Sequence, residues 1–250
     1  MFKFINILLM PGILISLVAC SNDNPIVPEI DYEPEVVVFG LLLLTDRDQG
    51  QQKTIRIERS YEITEKVPDY SDGRAIKDAL VFVETENQRV QFEHDFASAY
   101  SDKNNELQLL PGERYKLDIT LKDGQKITSE CLMPDRPAIV SPTLTEPVQA
   151  FEPLLVKWQE AEFAHRYQIA VEADNDGFQF STFSASDQEE IYAFIFARPN
   201  IYYFKVASLD QNYYDYLRSR SNRQPISHIN GALGVFGAIA YDRGSFRALP

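Results

Sequence analysis

Apolar and polar residues trade places at every second position through much of this chain, and that period commits it to β-sheet. Thr54-Ile55-Arg56-Ile57-Glu58-Arg59 alternates cleanly, as does Tyr115-Lys116-Leu117-Asp118-Ile119-Thr120-Leu121. Side chains along a strand point to opposite faces, so such a run buries one face and wets the other. Asp123-Gly124 between residues 115–121 and 126–131 supplies the positive-φ residues of a tight hairpin turn. Residues 36–44 form a continuous apolar run, consistent with a strand buried on both faces. Residues 79–84 and 90–92 read as paired strands joined through the polar 85–89.

Leu110-Pro111-Gly112-Glu113-Arg114-Tyr115 stands just before the clearest hairpin. It resembles the tyrosine corner of immunoglobulin-like and fibronectin-type sandwiches, in which a Tyr hydroxyl returns to nearby backbone. Met133-Pro134-Asp135-Arg136-Pro137 and Ser141-Pro142 then break the pattern, which places a boundary near residue 140. Beyond it, Leu154-Leu155-Val156-Lys157-Trp158 leads into Tyr167-Gln168-Ile169-Ala170-Val171, like the first strands of a fibronectin type III module. Residues 177–184 and 201–209 supply further strands. Asp210 caps a short helix through Tyr213, Tyr214 and Leu217, and residues 229–238 read as a small-residue strand. The expected fold is therefore mainly β. An immunoglobulin-like sandwich covers 35–140, and a fibronectin type III-like one covers 141–250 with the helix and the Gly-rich strand.

The N-terminus carries an address. Lys3 precedes an apolar stretch to Ala19 that is too short for a membrane-spanning helix and is broken by Pro11-Gly12. It closes on Leu17-Val18-Ala19-Cys20 before turning polar, and this resembles the lipobox of bacterial lipoproteins. Residues 1–19 are then a signal peptide, Cys20 carries lipid, and 20–34, with Pro25, Pro28 and Pro34, form a tether. Each buried methylene contributes roughly 0.8 kcal/mol, so two or more acyl chains hold the protein at the membrane. The formal charge of −13 argues against nucleic-acid binding, which needs a basic face. Lipidation consumes one of the two cysteines and leaves Cys131 as a small buried hydrophobe with no disulfide partner.

Catalytic patterns are not met. His94, His165 and His228 lie at neither metal-binding nor triad-like spacing, so they read as surface or packing residues, and no cofactor motif is present. Asp174-Asn175-Asp176-Gly177 fails as a calcium loop, because Phe183 stands where a bidentate Glu is required, and it reads as a hairpin turn. Gly231, Gly234 and Gly237 follow GxxGxxG with no strand-then-helix context, so they fit close backbone approach instead of phosphate binding. Among the helix tyrosines, Tyr213 and Tyr214 are expected to pack inward. Tyr216 faces elsewhere and is the candidate for partner binding.

Taken together, these segments resemble a Bacteroidetes lipoprotein family known as domain-of-unknown-function family 4249. The matching residues include Val37-Val38-Phe39-Gly40, Leu110-Pro111-Gly112 with Tyr115, Tyr213-Tyr214-Asp215-Tyr216-Leu217, and Ile229-Asn230-Gly231-Ala232-Leu233-Gly234-Val235-Phe236-Gly237-Ala238. The resemblance brings no catalytic residues. It implies an outer-membrane setting and a TonB-dependent transporter as partner. The expected function is a non-enzymatic accessory or binding lipoprotein, with an envelope structural role or a carboxylate-dependent polymer hydrolase as alternatives.

Overall fold

The alternating segments do form strands, and their pairing builds two sandwiches. The computed structural model describes residues 33–45, 51–61, 74–143, 147–149, 151–173, 179–192, 200–222 and 225–249. The lipobox at 17–20 and the turn at 174–177 lie outside these residues. All described residues except Glu33 belong to one unit, Pro34–Pro250.

The first sandwich contains β1 (Val36–Leu44), β2 (Gln51–Arg59), β3 (Leu80–Glu84), β4 (Arg89–His94), β5 (Ala99–Ser101), β6 (Arg114–Thr120) and β7 (Lys126–Leu132). β1, β2 and β5 pair in one layer and β3, β6 and β7 in the other, while β4 pairs with both β5 and β3 and turns the corner. The inward positions of the alternation fill the core, with Val38, Leu42, Ile55, Val81, Phe92 and Leu117 almost fully buried. On β1 only the even-numbered face is fully buried, while Val37, Phe39, Leu41 and Leu43 on the other face remain partly exposed.

The second sandwich contains β8 (Ala138–Ser141), β9 (Val148–Gln149), β10 (Leu154–Gln159), β11 (Arg166–Ala173), β12 (Gln179–Ser184), β13 (Gln188–Ile191) and β14 (Asn200–Leu209). The three-stranded layer β13-β10-β8 faces the layer containing β12-β11-β14. Trp158 from β10 and Tyr167 from β11 meet in its core with ring centroids 5.2 Å apart. Helix α1 (Gln211–Ser219) follows β14, and the last strand is β15 (Leu233–Leu249).

β15 links both bodies. Its first half, Leu233 to Ala240, pairs in parallel with Val37 to Leu44 of β1, and Ile239 to Ala248 pair antiparallel with Leu209 to Asn200 of β14. At about 3.3 Å per residue the 17-residue strand runs about 56 Å through both sandwiches. The Gly-rich stretch read as part of the second domain alone thus also serves the first, whose core contains Phe236 and Ala238. Residues 229–231 precede the strand instead of opening it. The strand continues to Leu249 paired with β14, and opposite Phe204 stands Gly244, where a Cβ would lie 2.7 Å from the ring.

Local chemistry fixes the connections. The Asp123-Gly124 turn differs from expectation, since Gly124 has a positive φ and Asp123 does not. Gly124 N–H donates to the Leu121 carbonyl and the Asp123 carboxylate accepts from Gln125 N–H at 2.9 Å, the pattern of a turn closed by one left-handed residue. Three buried tyrosines pin loops through their hydroxyls. Tyr115 accepts from Leu110 N–H (2.8 Å) and donates to the Gln108 carbonyl (2.9 Å), the expected corner. Tyr100 does the same with Ala79 N–H (3.0 Å) and the Ile76 carbonyl (2.9 Å), and Tyr167 accepts from Ala161 N–H (2.7 Å). Burial pushes all three phenols above their ordinary range.

One inward position carries a charge. Lys53 Nζ is buried against Asp102 (2.8 Å), with side-chain exposures of 4% and 2%, and also donates to Asn105 and to the Leu107 carbonyl. Burial alone pushes the Asp102 carboxyl up. The Lys53 hydrogen bond and the Glu106 and Leu107 amides outweigh that, and its pKa ends below the ordinary value. A depressed carboxyl stabilises the fold above its unfolded pKa near 3.9 and loses that contribution as pH falls through the folded value. Asp102→Asn is expected to cost about 3 kcal/mol at pH 7 and to flatten the acid limb of stability, read by urea unfolding between pH 3 and 7.

Gly234 marks where β15 enters the sheet. Its φ is +107°, and a Cβ there would lie 2.0 Å from the Val38 carbonyl oxygen, which no rotamer change relieves. Gly234→Ala is expected to cost about 3 kcal/mol or more, seen as a fall in thermal midpoint by circular dichroism.

Candidate functional site

Where the sandwiches meet, a groove of about 1120 Å³ opens beside β7. One wall is the outward face of β6 and β7, carrying Arg114, Lys116, Asp118, Thr128 and Glu130. Opposite stand Phe163 to His165 from the second sandwich, the start of α1, and the strap 227–230 that leads into β15. Alternation places this wall. Ile127, Ser129 and Cys131 turn inward, so the residues between them must face out.

The strap is stitched to the edge of β7. Thr128 and Asn230 exchange main-chain hydrogen bonds of 3.1 and 2.8 Å. The Ser129 hydroxyl donates to the His228 carbonyl (2.8 Å), and Gln125 Nε2 donates to the Gly231 carbonyl (2.7 Å). At the groove's other side Phe163 has φ +63°, unusual for a bulky residue, and its half-exposed ring lies over Gly112 of the tyrosine corner. Asn212 bridges the two bodies, donating from Nδ2 to the Glu130 (2.7 Å) and Phe236 (2.9 Å) carbonyls.

Asp210 is the buried acid of the site. Its carboxylate caps α1 by accepting from Tyr213 N–H at 2.9 Å, and its own N–H donates to the Ala238 carbonyl. Burial raises its pKa to about 7 against the pull of the Tyr213, Ala238 and Asn212 hydrogen bonds. Burial also pushes the Cys131 thiol well up, with the Asp210 charge adding to it, so the sulfur is held as a neutral thiol.

The other acids of the groove are tied to arginines. Glu130 meets Arg114 at 3.0 Å, and Arg89 reaches Glu84 at 3.0 Å and Asp118 at 3.1 Å. Among the described residues no cluster of three His, Cys, Asp or Glu could hold a metal ion, and no helix is long and apolar enough to cross a membrane.

A family described as "Domain of unknown function (DUF4249)" matches residues 23–245. The chain belongs to that family. No curated protein matches it. Among solved structures, a two fibronectin type-III domain segment from chicken tenascin is 8% identical, covers 78% of this chain and 91% of its own, and gives a TM-score of 0.30. The fibronectin(III)-like modules of Clostridium thermocellum CbhA are 11% identical over 86% of this chain and 93% of theirs, with a TM-score of 0.28. At such scores the sandwich assignment rests on the strand pairing itself.

Tyr216, read as the side chain facing away from the helix packing, is instead partly buried, with its ring edge-on to Phe39 at 6.0 Å, and it does not line the groove. The outer face of β1 is apolar, and the Tyr216 ring packs against it at Phe39. Tyr214 packs against His165 and Phe183 of the second sandwich, and Tyr213 lies over Gly237. His94 bonds the Ala97 carbonyl and packs on Tyr100, and His228 pairs with Asp215 at 2.9 Å. Sequence reading singled out Asp210 as a cap but not its burial. Its one signal was position, since an N-cap followed by aromatics must dock that helix end against something apolar.

A carboxyl raised in the fold stabilises it fully below the unfolded pKa near 3.9 and loses that contribution as pH rises through about 7. Asp210→Asn keeps a good cap and cannot ionise. It is expected to be more stable than the parent at pH 8 and to lack the parent's decline between pH 4 and 7, read by denaturant unfolding across that range.

Proposed function

We propose that the mature protein is a non-enzymatic lipoprotein of the outer membrane, anchored through Cys20, that acts as an accessory or binding partner of a TonB-dependent transporter. The observation that carries this reading is the groove at the junction, a wide polar surface between two bodies locked together by β15. Sandwiches commonly present such loop-lined surfaces for binding. The lipobox supplies the anchor, and residues 21–34 can span at most about 50 Å from lipid to body. The hydrolase alternative needs one acid raised and one acid free. Asp210 is raised but buried and spent on the cap of α1, and Glu84, Asp118 and Glu130 are all engaged by arginines, so they suit a surface ion network better than acid–base work.

Two measurements test the proposal. Cys20→Ser is expected to move the protein from the membrane to the soluble fraction after cell breakage. A mild-detergent pull-down of the tagged parent from its own outer membranes is expected to recover a transporter in stoichiometric amount. Recovery of the lipoprotein alone, with the variant still in the membrane fraction, would overturn both anchor and partner.

A further inference from the structure

Charges on facing strands of the first sandwich are matched. Arg89 stands opposite Glu84, Glu84 opposite Lys116, and Lys116 opposite Glu130, so each side chain meets its opposite sign. The outer face of the second sandwich breaks that pattern. Lys205 of β14 stands directly opposite Arg243 of β15, and Arg247 lies further along β15 on the same face. Like charges directly opposite one another destabilise a sheet. The chain carries 24 Lys and Arg against 37 Asp and Glu, so its composition does not force two cations together.

Alternation settles what else this face presents. Tyr202, Phe204 and Phe246 fill the core, so Tyr203, Lys205, Arg243, Ser245 and Arg247 point outward. Tyr203 is 47% exposed and stands opposite Ser245, between the two arginines of β15. A pocket of about 180 Å³ lies beside it, with Ala170 and Gly244 as small residues and Glu172, Lys205 and Arg243 as charged ones. Glu172 holds Lys205 at 3.7 Å, and the Arg243 guanidinium lies 5.7 Å from the centre of the Tyr241 ring. Both members of the like-charged pair are thus held from the side while their mutual repulsion stays.

These groups together select a ligand class. An open aromatic ring stacks on the apolar C–H face of a sugar. Arginine takes a carboxylate through two parallel N–H···O bonds, and lysine adds a point charge. Glu172 accepts from sugar hydroxyls. We propose that this face binds an acidic polysaccharide, with a uronate ring on Tyr203 and its carboxylate between Lys205 and Arg243. A further carboxylate of the chain meets Arg247, about 13 Å from Arg243 along the strand. On this face, among the described residues, Tyr203 is the one large hydrophobic with high exposure, which leaves little for a lipid tail or an apolar protein surface to bury. The site shares no residue with the groove, so it goes beyond the transporter reading and each can fail alone.

The probe is α-1,4-linked trigalacturonate, titrated calorimetrically into the full mature protein in mild detergent at low salt. Saturable binding is expected, about tenfold tighter than that of maltotriose, which lacks the carboxylates. Tyr203→Ala is expected to weaken it about fivefold and Arg243→Gln about tenfold. Both positions are exposed, and Arg243→Gln should leave the unliganded protein no less stable, because it removes a like-charged pair. Glycerol phosphate at equal concentration should not displace the probe. Displacement would assign the face to lipid headgroups and overturn the proposal. Equal binding of maltotriose, unchanged binding in both variants, or no saturable binding would each overturn it too.

Discussion

The structure depends on one strand being shared. β15 closes the layer of the first sandwich against β1 and the layer of the second against β14, and the two ladders overlap at Ile239 and Ala240. A peptide linker between sandwiches would leave a hinge, because interfaces between domains of one chain are small and polar. Here a continuous hydrogen-bonded strand crosses the boundary, so bending there would break ladder bonds on both sides. The smaller crossings add to it. Asp210 N–H donates to the Ala238 carbonyl, and Asp135 N–H to the Glu162 carbonyl. The groove at the junction therefore has fixed walls, which is the condition for a selective binding surface.

Buried polar groups hold the rest in register. Each of Tyr100, Tyr115 and Tyr167 sits in a core and spends its hydroxyl on loop backbone that would otherwise be unpaired. Lys53 and Asp102 do this with charge, tying the 102–107 loop to β2 through a set of bonds that leaves neither ion unsatisfied. Asp210 differs in kind. It has a cap to make but no cation beside it among the described residues, so burial wins and its carboxyl holds a proton to near neutrality. The same physics gives opposite pKa directions, decided by whether a positive partner is present.

The edge of β7 shows how the fold manages an exposed strand. Unpaired edges invite other strands, and proteins cover or charge them. The strap at 227–230 covers one part, and Glu130 places a charge on the remainder. What stays open is a short notch, not a long edge, and its walls are fixed by residues from both sandwiches.

Much of the fold was legible along the chain. Alternation located β2, β6 and β7, because facing inward or outward is written at every second residue, and a continuous apolar run located β1. Leu110 to Tyr115 announced a corner, and Asp210 announced a helix start, since both depend on residues a few positions apart. The lipobox-like pattern that ends on Cys20 is likewise local. The short strands β5, β8 and β13 left no such record, for three or four residues carry too little alternation to stand out from loops. The inward turn of Lys53, the contact of Tyr216 with Phe39, and the reach of β15 through both bodies were decided only when distant segments paired. Lys53 needed Asp102, Tyr216 needed the apolar outer face of β1, and Gly244 needed Phe204. The groove itself belongs wholly to tertiary structure, because its walls come from residues more than a hundred positions apart that only the shared strand brings together.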